Sequence, residues 1–240
     1  MNNKVDILVF GAHPDDVELA CAGTILLQIS LGYKVGVIDL TQGELGTRGT
    51  SKIRLQESTI ASKKMGLTFR ENLGFKDGFF ENNEHNQIEV IKRIRAYQPN
   101  IVLCNSTHDR HPDHGRGAQL VYDACFLSGL EKINTTFNSA VQSPYRPHVL
   151  YNYIQYNDQK PDFLIDISQF MNQKMDIIKS YSSQFYNPKS IETETIISQE
   201  KFLNLVQDRC ADLGRFISAD YAEGFCVQRY IGINNLFSLL

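Results

Sequence analysis

No apolar run in the 240 residues approaches the roughly 18 that a membrane-spanning helix needs. About four residues precede the first apolar stretch, too few for a secretory leader. There is no Lys/Arg run and no basic stripe. With a formal net charge of −3 and both signs spread along the chain, nucleic acid is not an expected partner. The five cysteines, at 21, 104, 125, 210 and 226, form no C-x-x-C pair, so a cysteine metal site is not expected. Most sit in apolar runs and read as small buried hydrophobes of a reducing cytoplasm. Neither G-x-G-x-x-G nor a Walker pattern occurs, which removes the usual nucleotide loops. No internal repeat or low-complexity tract is present.

What is present is core. Apolar residues make up 42% of the chain, enough for one α/β domain over 1–240. Val5–Phe10 reads as a buried strand and Val17–Leu31 as a buried helix. Lys34–Leu40 is a second strand. A loop with three glycines in seven residues, Gly43 to Gly49, follows, and it suits either a flexible connection or a substrate loop. Ser51 caps a helix to Met65, with Ile53, Ile60 and Ala61 on one face, and Gly66 stops it. Thr68–Leu73 is a weaker strand. Gln87–Tyr97 is a helix ended by Pro99, Ile101–Cys104 a strand, and Gly115–Leu127 a helix. This alternation predicts a parallel, doubly wound sheet over 1–130. Later strands and C-terminal helices occupy 131–240. Residues 131–147 read as loop, Val149–Ile154 and Asp162–Ile167 as strands, and Ser168 as the cap of a helix carrying Met171, Met175 and Ile178. A break at 184–190 precedes a long helix through Ile196, Leu203, Val206, Cys210, Leu213 and Ile217. Tyr221–Phe225 turns into a short final segment.

Two clusters carry chemistry. His13-Pro14-Asp15-Asp16 follows the first strand, and Asp109-Arg110-His111-Pro112-Asp113-His114 follows the strand at 101–104. Each sits in a strand-to-helix turn, where open α/β sheets bind ligands. Four of the six histidines (13, 108, 111 and 114) lie in or beside these loops. A catalytic zinc takes three protein ligands and leaves a position for water. His13, Asp16 and His114 supply two imidazoles and a carboxylate. Asp15, beside a ligand in sequence, points elsewhere and suits a base on the zinc-activated water. His111 and His114, three apart, share a helical face. One can bind metal while the other stabilises an oxyanion or protonates a leaving group. Asp113 can orient one of the imidazoles. Blander roles also fit: Asp15, Asp16 or Asp113 as helix caps, and His111 as a surface residue.

On these residues the sequence resembles the PIG-L/LmbE-like family of zinc-dependent N-acetylglucosaminyl deacetylases, whose hallmarks stand here as His13-Pro14-Asp15-Asp16 and His111-Pro112-Asp113-His114. The resemblance implies a Rossmann-like three-layer α/β/α fold with the metal site at the C-terminal ends of the strands. It implies one zinc on His13, Asp16 and His114, other divalent metals being possible, with Asp15 as general base. It further implies His111 near the oxyanion and Asp113 as the partner of His111. Many relatives have Glu directly after the paired Asp, where Val17 stands here. Some have Tyr where this chain has Asp109.

The stretches 43–50, 109–114 and 221–225 are similar to those of bacillithiol-pathway deacetylases. These act on N-acetylglucosaminyl malate and assemble as homo-oligomers, often hexamers. A dicarboxylate substrate implies arginines, and Arg54, Arg110 and Arg48 are the candidates. Deacetylation of another N-acetylglucosaminide, such as a chito-oligosaccharide or antibiotic precursor, keeps the same chemistry. A two-metal phosphoesterase needs more carboxylate ligands, and a sugar-binding module would not need Asp15.

Overall fold

The structure is a computed structural model and describes residues 4–239. In chain order its main elements are β1 (Ile7–Gly11), α1 (Asp16–Ser30), β2 (Val35–Thr41), α2 (Ser51–Met65), β3 (Phe69–Phe75), α3 (Glu84–Tyr97), β4 (Ile101–Cys104) and α4 (Pro112–Leu127). There follow β5 (Thr136–Phe137), β6 (Ala140–Val141), β7 (Val149–Tyr153), β8 (Phe163–Asp166), α5 (Met171–Ile178), α6 (Glu200–Gly214) and β9 (Ala222–Val227). Seven strands form one sheet in the order β3-β2-β1-β4-β7-β9-β8. The first five run parallel, and β9 lies antiparallel to both neighbours.

Alternation along β1 builds the three layers. Ile7 and Val9 face a core shared with α1, α2, α5 and α6. Leu8 and Phe10 face the opposite core, closed by α3 and α4. Both faces of the central strands are covered, so they read as continuous apolar runs. Four cysteines are buried as expected and Cys226 is half-buried. Among the described residues no helix is long and apolar enough to cross a membrane.

Three expectations are corrected. In α2 the cap is Thr50, whose hydroxyl accepts from the Ile53 amide. Ile53 and Ile60 are 40% and 49% exposed, while Arg54, Glu57, Ser58, Ala61 and Met65 are buried. The inner face thus mixes polar Arg54, Glu57 and Ser58 with apolar Ala61 and Met65, which blurs the usual apolar stripe. The loop at 131–147 contains the short β5–β6 pair. Tyr221–Phe225 leads into β9, a full strand between β7 and β8. Its Glu223 hides it from a pattern search, because a buried Glu breaks the apolar run. That carboxylate accepts from the Gly23 and Thr24 amides at 3.0 and 2.7 Å and from Lys174 Nζ at 2.5 Å. The two amides are free because α1 is kinked at Cys21, where φ is −139°. Glu223 thus caps the second half of α1, as carboxylates do at helix N-termini.

Candidate active site

The strand order turns back between β1 and β4, with β2 and β3 on one side and β7 on the other. Such a switch point leaves a crevice beyond the C-terminal strand ends. The first motif leaves β1 and the second opens α4 after β4, so the crevice collects both.

Asp16 is the hub. Its Oδ2 accepts the His13 amide at 2.9 Å and Asn105 Nδ2 at 3.1 Å, and its Oδ1 accepts Gln155 Nε2 at 2.8 Å. His13 Nδ1 lies 3.4 Å from Oδ2, and His114 Nε2 lies 3.2 Å from Oδ1. Ring nitrogens of His13, His111 and His114 fall within 4.8 Å of one another. Thus His13, Asp16 and His114 are brought together with His111 beside them.

Each of the two imidazoles facing Asp16 has a carboxylate on its other nitrogen. His114 Nδ1 meets Asp109 Oδ2 at 2.7 Å. His13 Nε2 meets Asp77 Oδ1 at 3.0 Å and Asp113 Oδ2 at 3.4 Å. Such backing fixes tautomer and ring angle. Asp77 is in turn held by the Leu45 amide at 2.8 Å, so the glycine-rich loop is anchored to the site rather than loose. Asp113 accepts the Gly78 amide at 2.8 Å and Arg116 at 2.6 Å.

The pairing of Asp113 with His111 is therefore corrected. His111 is the N-cap of α4, and its Nδ1 accepts the backbone N–H of Asp113 at 3.2 Å. The Asp113 carboxylate turns instead toward His13. With Nδ1 accepting, His111 carries its proton on Nε2. Burial, with the neighbouring His13 adding to it, holds its pKa below the usual imidazole value.

Asp15 occupies the N-cap position of α1 but makes no capping bond. Its φ of 124° is a strained setting for a residue with a Cβ. Its Oδ2 accepts Arg54 Nη2 at 2.7 Å. Burial pushes its pKa up to about 6 against the pull of Arg54.

The three candidate arginines part company. Arg54 is buried against Asp15. Arg48 is buried too, donating to the Ser183 carbonyl at 3.0 Å and Ser190 Oγ at 2.7 Å. Arg110 is exposed, with its guanidinium 4.6 Å over the Tyr156 ring. A cavity of about 970 Å³ joins these parts. Its polar end holds His13, Asp15 and His114, Arg110 and Tyr156 line its wall, and Val206 of α6 lies along an apolar side.

The donor set suits a divalent metal: imidazoles and carboxylates converge, and among the described residues no cysteine joins the cluster. The local field agrees. Burial alone would lower the His114 pKa, yet Asp16 and Asp109 raise it to about 9. His13 is raised as well, its carboxylate neighbours outweighing burial. A site that favours positive charge on two imidazoles favours a cation that replaces their protons.

Sequence reasoning missed Asp77, Asn105 and Gln155 and read Asp109 only as a missing Tyr. The available signal was position, since each lies just beyond the C-terminal end of a parallel strand.

The match to the PIG-L family (GlcNAc-PI de-N-acetylase) covers residues 8–125. The chain is 32% identical to the conserved protein TT1542 from Thermus thermophilus, with a TM-score of 0.85 over 95% of this chain and 97% of that one. The chain belongs to the PIG-L family of deacetylases. It is 27% identical to the diacetylchitobiose deacetylase of Thermococcus kodakarensis, over 77% of this chain and 72% of that protein. It is 26% identical to the probable N-acetyl-alpha-D-glucosaminyl L-malate deacetylase 2 of Bacillus subtilis, over 75% of this chain and 84% of that protein. This PIG-L deacetylase is thus an N-deacetylase hydrolase for N-acetylglucosamine-type substrates. Deacetylases of the family are metal-dependent.

Proposed function

We propose that the chain removes the N-acetyl group of N-acetylglucosaminyl malate, releasing acetate and glucosaminyl malate, as in bacillithiol biosynthesis. His13, Asp16 and His114 would hold one zinc ion. When bound, such an ion polarises the amide carbonyl and acidifies water. Asp15 accepts the proton of the attacking water on the oxygen that Arg54 leaves free, and returns it to the departing amine. His111, neutral with Nε2–H, donates to the carbonyl oxygen as negative charge gathers there. The buried, carboxylate-backed imidazoles keep these groups fixed, so little reorganisation accompanies the step.

The observation that carries the malate reading is Arg110. Its guanidinium stands open on the cavity wall, stacked on Tyr156, and a planar fork suits a carboxylate. Arg209 adds a second positive charge to the same wall, donating to the Tyr156 carbonyl. The similarity to a probable malate-glycoside deacetylase points the same way. A chito-oligosaccharide is the second reading. It draws on the chitobiose-deacetylase relative and on a cavity of about 970 Å³, at the roomy end of small-molecule pockets.

The test is amine release by zinc-loaded protein from N-acetylglucosaminyl malate, diacetylchitobiose and free N-acetylglucosamine side by side. Preference for the malate glycoside, with a KM raised about 10-fold or more in Arg110→Ala for that substrate alone, supports the first reading. Preference for the disaccharide overturns it in favour of the second.

A further inference from the structure

The Asp113 carboxylate has two imidazoles near its loop, His111 and His13, and it takes His13. What turns it that way stands on α4 itself. Arg116, one turn further on, donates through Nη1 to Asp113 Oδ1 at 2.6 Å and to the Gly78 carbonyl at 3.1 Å. The Gly78 amide donates in turn to Asp113 Oδ2 at 2.8 Å. Arg116, Gly78 and Asp113 thus close a ring of three hydrogen bonds, and Oδ2 is left facing His13 Nε2 at 3.4 Å. His111 offers no competing donor on its near side, because its Nδ1 already accepts the Asp113 backbone N–H.

The surrounding chain serves this reach. Arg116 stands between Gly115 and Gly117, where a Cβ would lie 2.9 Å from the Thr107 carbonyl oxygen and 3.0 Å from Leu40 Cδ1. Glycine at both positions lets α4 press close, so the long side chain between them spans to the turn after β3. The guanidinium lies 5.5 Å over the ring of buried Phe80, a face that favours a cation. Charge demands it as well. Asp77 and Asp113 both face His13 Nε2, and that nitrogen carries at most one proton. A second buried carboxylate there needs its own counter-ion. Asp113 is fully buried, and among the lysines and arginines of the described residues Arg116 is the one paired with it.

We infer that Arg116 is a positioning residue for the metal site, which holds Asp113 on His13 rather than on His111 and so gives His13 its second carboxylate. This rests on the reading of His13 as a metal ligand.

Zinc affinity, read by competition with a fluorescent chelator, separates this from an ion pair that only steadies α4. Arg116→Met alone should weaken zinc binding by no more than about 3-fold, because Asp77 still backs His13. In an Asp77→Asn background Asp113 is the carboxylate left behind His13. There the same change should cost about 10-fold more, as Asp113→Asn does in that background. In Asp77→Asn/Asp113→Asn it should cost nothing further, because the side chain it positions is gone. Arg116→Lys keeps a cation near Oδ1 and should recover part of the affinity in the Asp77→Asn background. Should Arg116→Met fold poorly, Arg116→Gln, which keeps a donor for the Gly78 carbonyl and removes the charge, should give the same pattern. Equal weakening by Arg116→Met with and without the Asp113 carboxylate overturns the inference, and so does undiminished affinity on adding Arg116→Met to Asp77→Asn. Full zinc retention by His13→Ala overturns the ligand reading itself, and the inference with it.

Discussion

The two ends of the site are backed in different ways. His114 takes its carboxylate from its own loop, Asp109, five residues away. His13 takes its nearest one from Asp77, 64 residues away at the end of β3, with Asp113 of α4 at slightly longer range. The short tie is set once the α4 turn forms. The long tie exists only when β3, the glycine-rich loop and α4 are all in place. One imidazole is thus oriented by local chain geometry and the other by the assembled fold, and Asp16 bridges them.

The most severe way to break this arrangement is to remove either imidazole. His13→Ala and His114→Ala should each fall from about one zinc per chain to near none after dialysis, read by elemental analysis. Full retention by either removes it from the ligand set. Asp15→Asn comes next. It touches neither end, so it should keep its zinc while kcat drops by about 10²- to 10⁴-fold, the range of general acid–base catalysis. Loss of zinc in Asp15→Asn would make Asp15 a ligand rather than a base.

How much of this was legible follows the same division. The strands, their alternation with helices and both His/Asp clusters stand in short contiguous stretches, so the sheet and the two motif loops could be read directly. The supports could not. Asn105 and Gln155 reach Asp16 from 89 and 139 residues away, and nothing in a single sequence marks an amide at one strand end as the partner of an acid at another. Helix α2 misled because its inner face carries Arg54 toward the site and Glu57 against Ser182 and Ser183. Strand β9 misled because Glu223 is buried to cap a kinked helix. In each case a polar group needed inside overrode the apolar pattern that sequence reading depends on.

Smaller changes sharpen the contrast between the ends. Asp109→Asn removes the single carboxylate behind His114 and should weaken zinc binding about 10- to 100-fold, the usual cost of losing such a partner. Asp77→Asn should cost less, about 10-fold or under on the same scale, because the Asp113 carboxylate remains 3.4 Å from His13 Nε2. Asparagine keeps an acceptor for the Leu45 amide that Asp77 now receives at 2.8 Å, so the loop is not released along with the charge. Removing both, in Asp77→Asn/Asp113→Asn, should bring the His13 end level with Asp109→Asn. Competition of each variant against a fluorescent zinc chelator measures all three. If Asp77→Asn alone matches Asp109→Asn, then Asp113 lends His13 no support, and the doubled backing is one working carboxylate with a bystander held by Gly78 and Arg116.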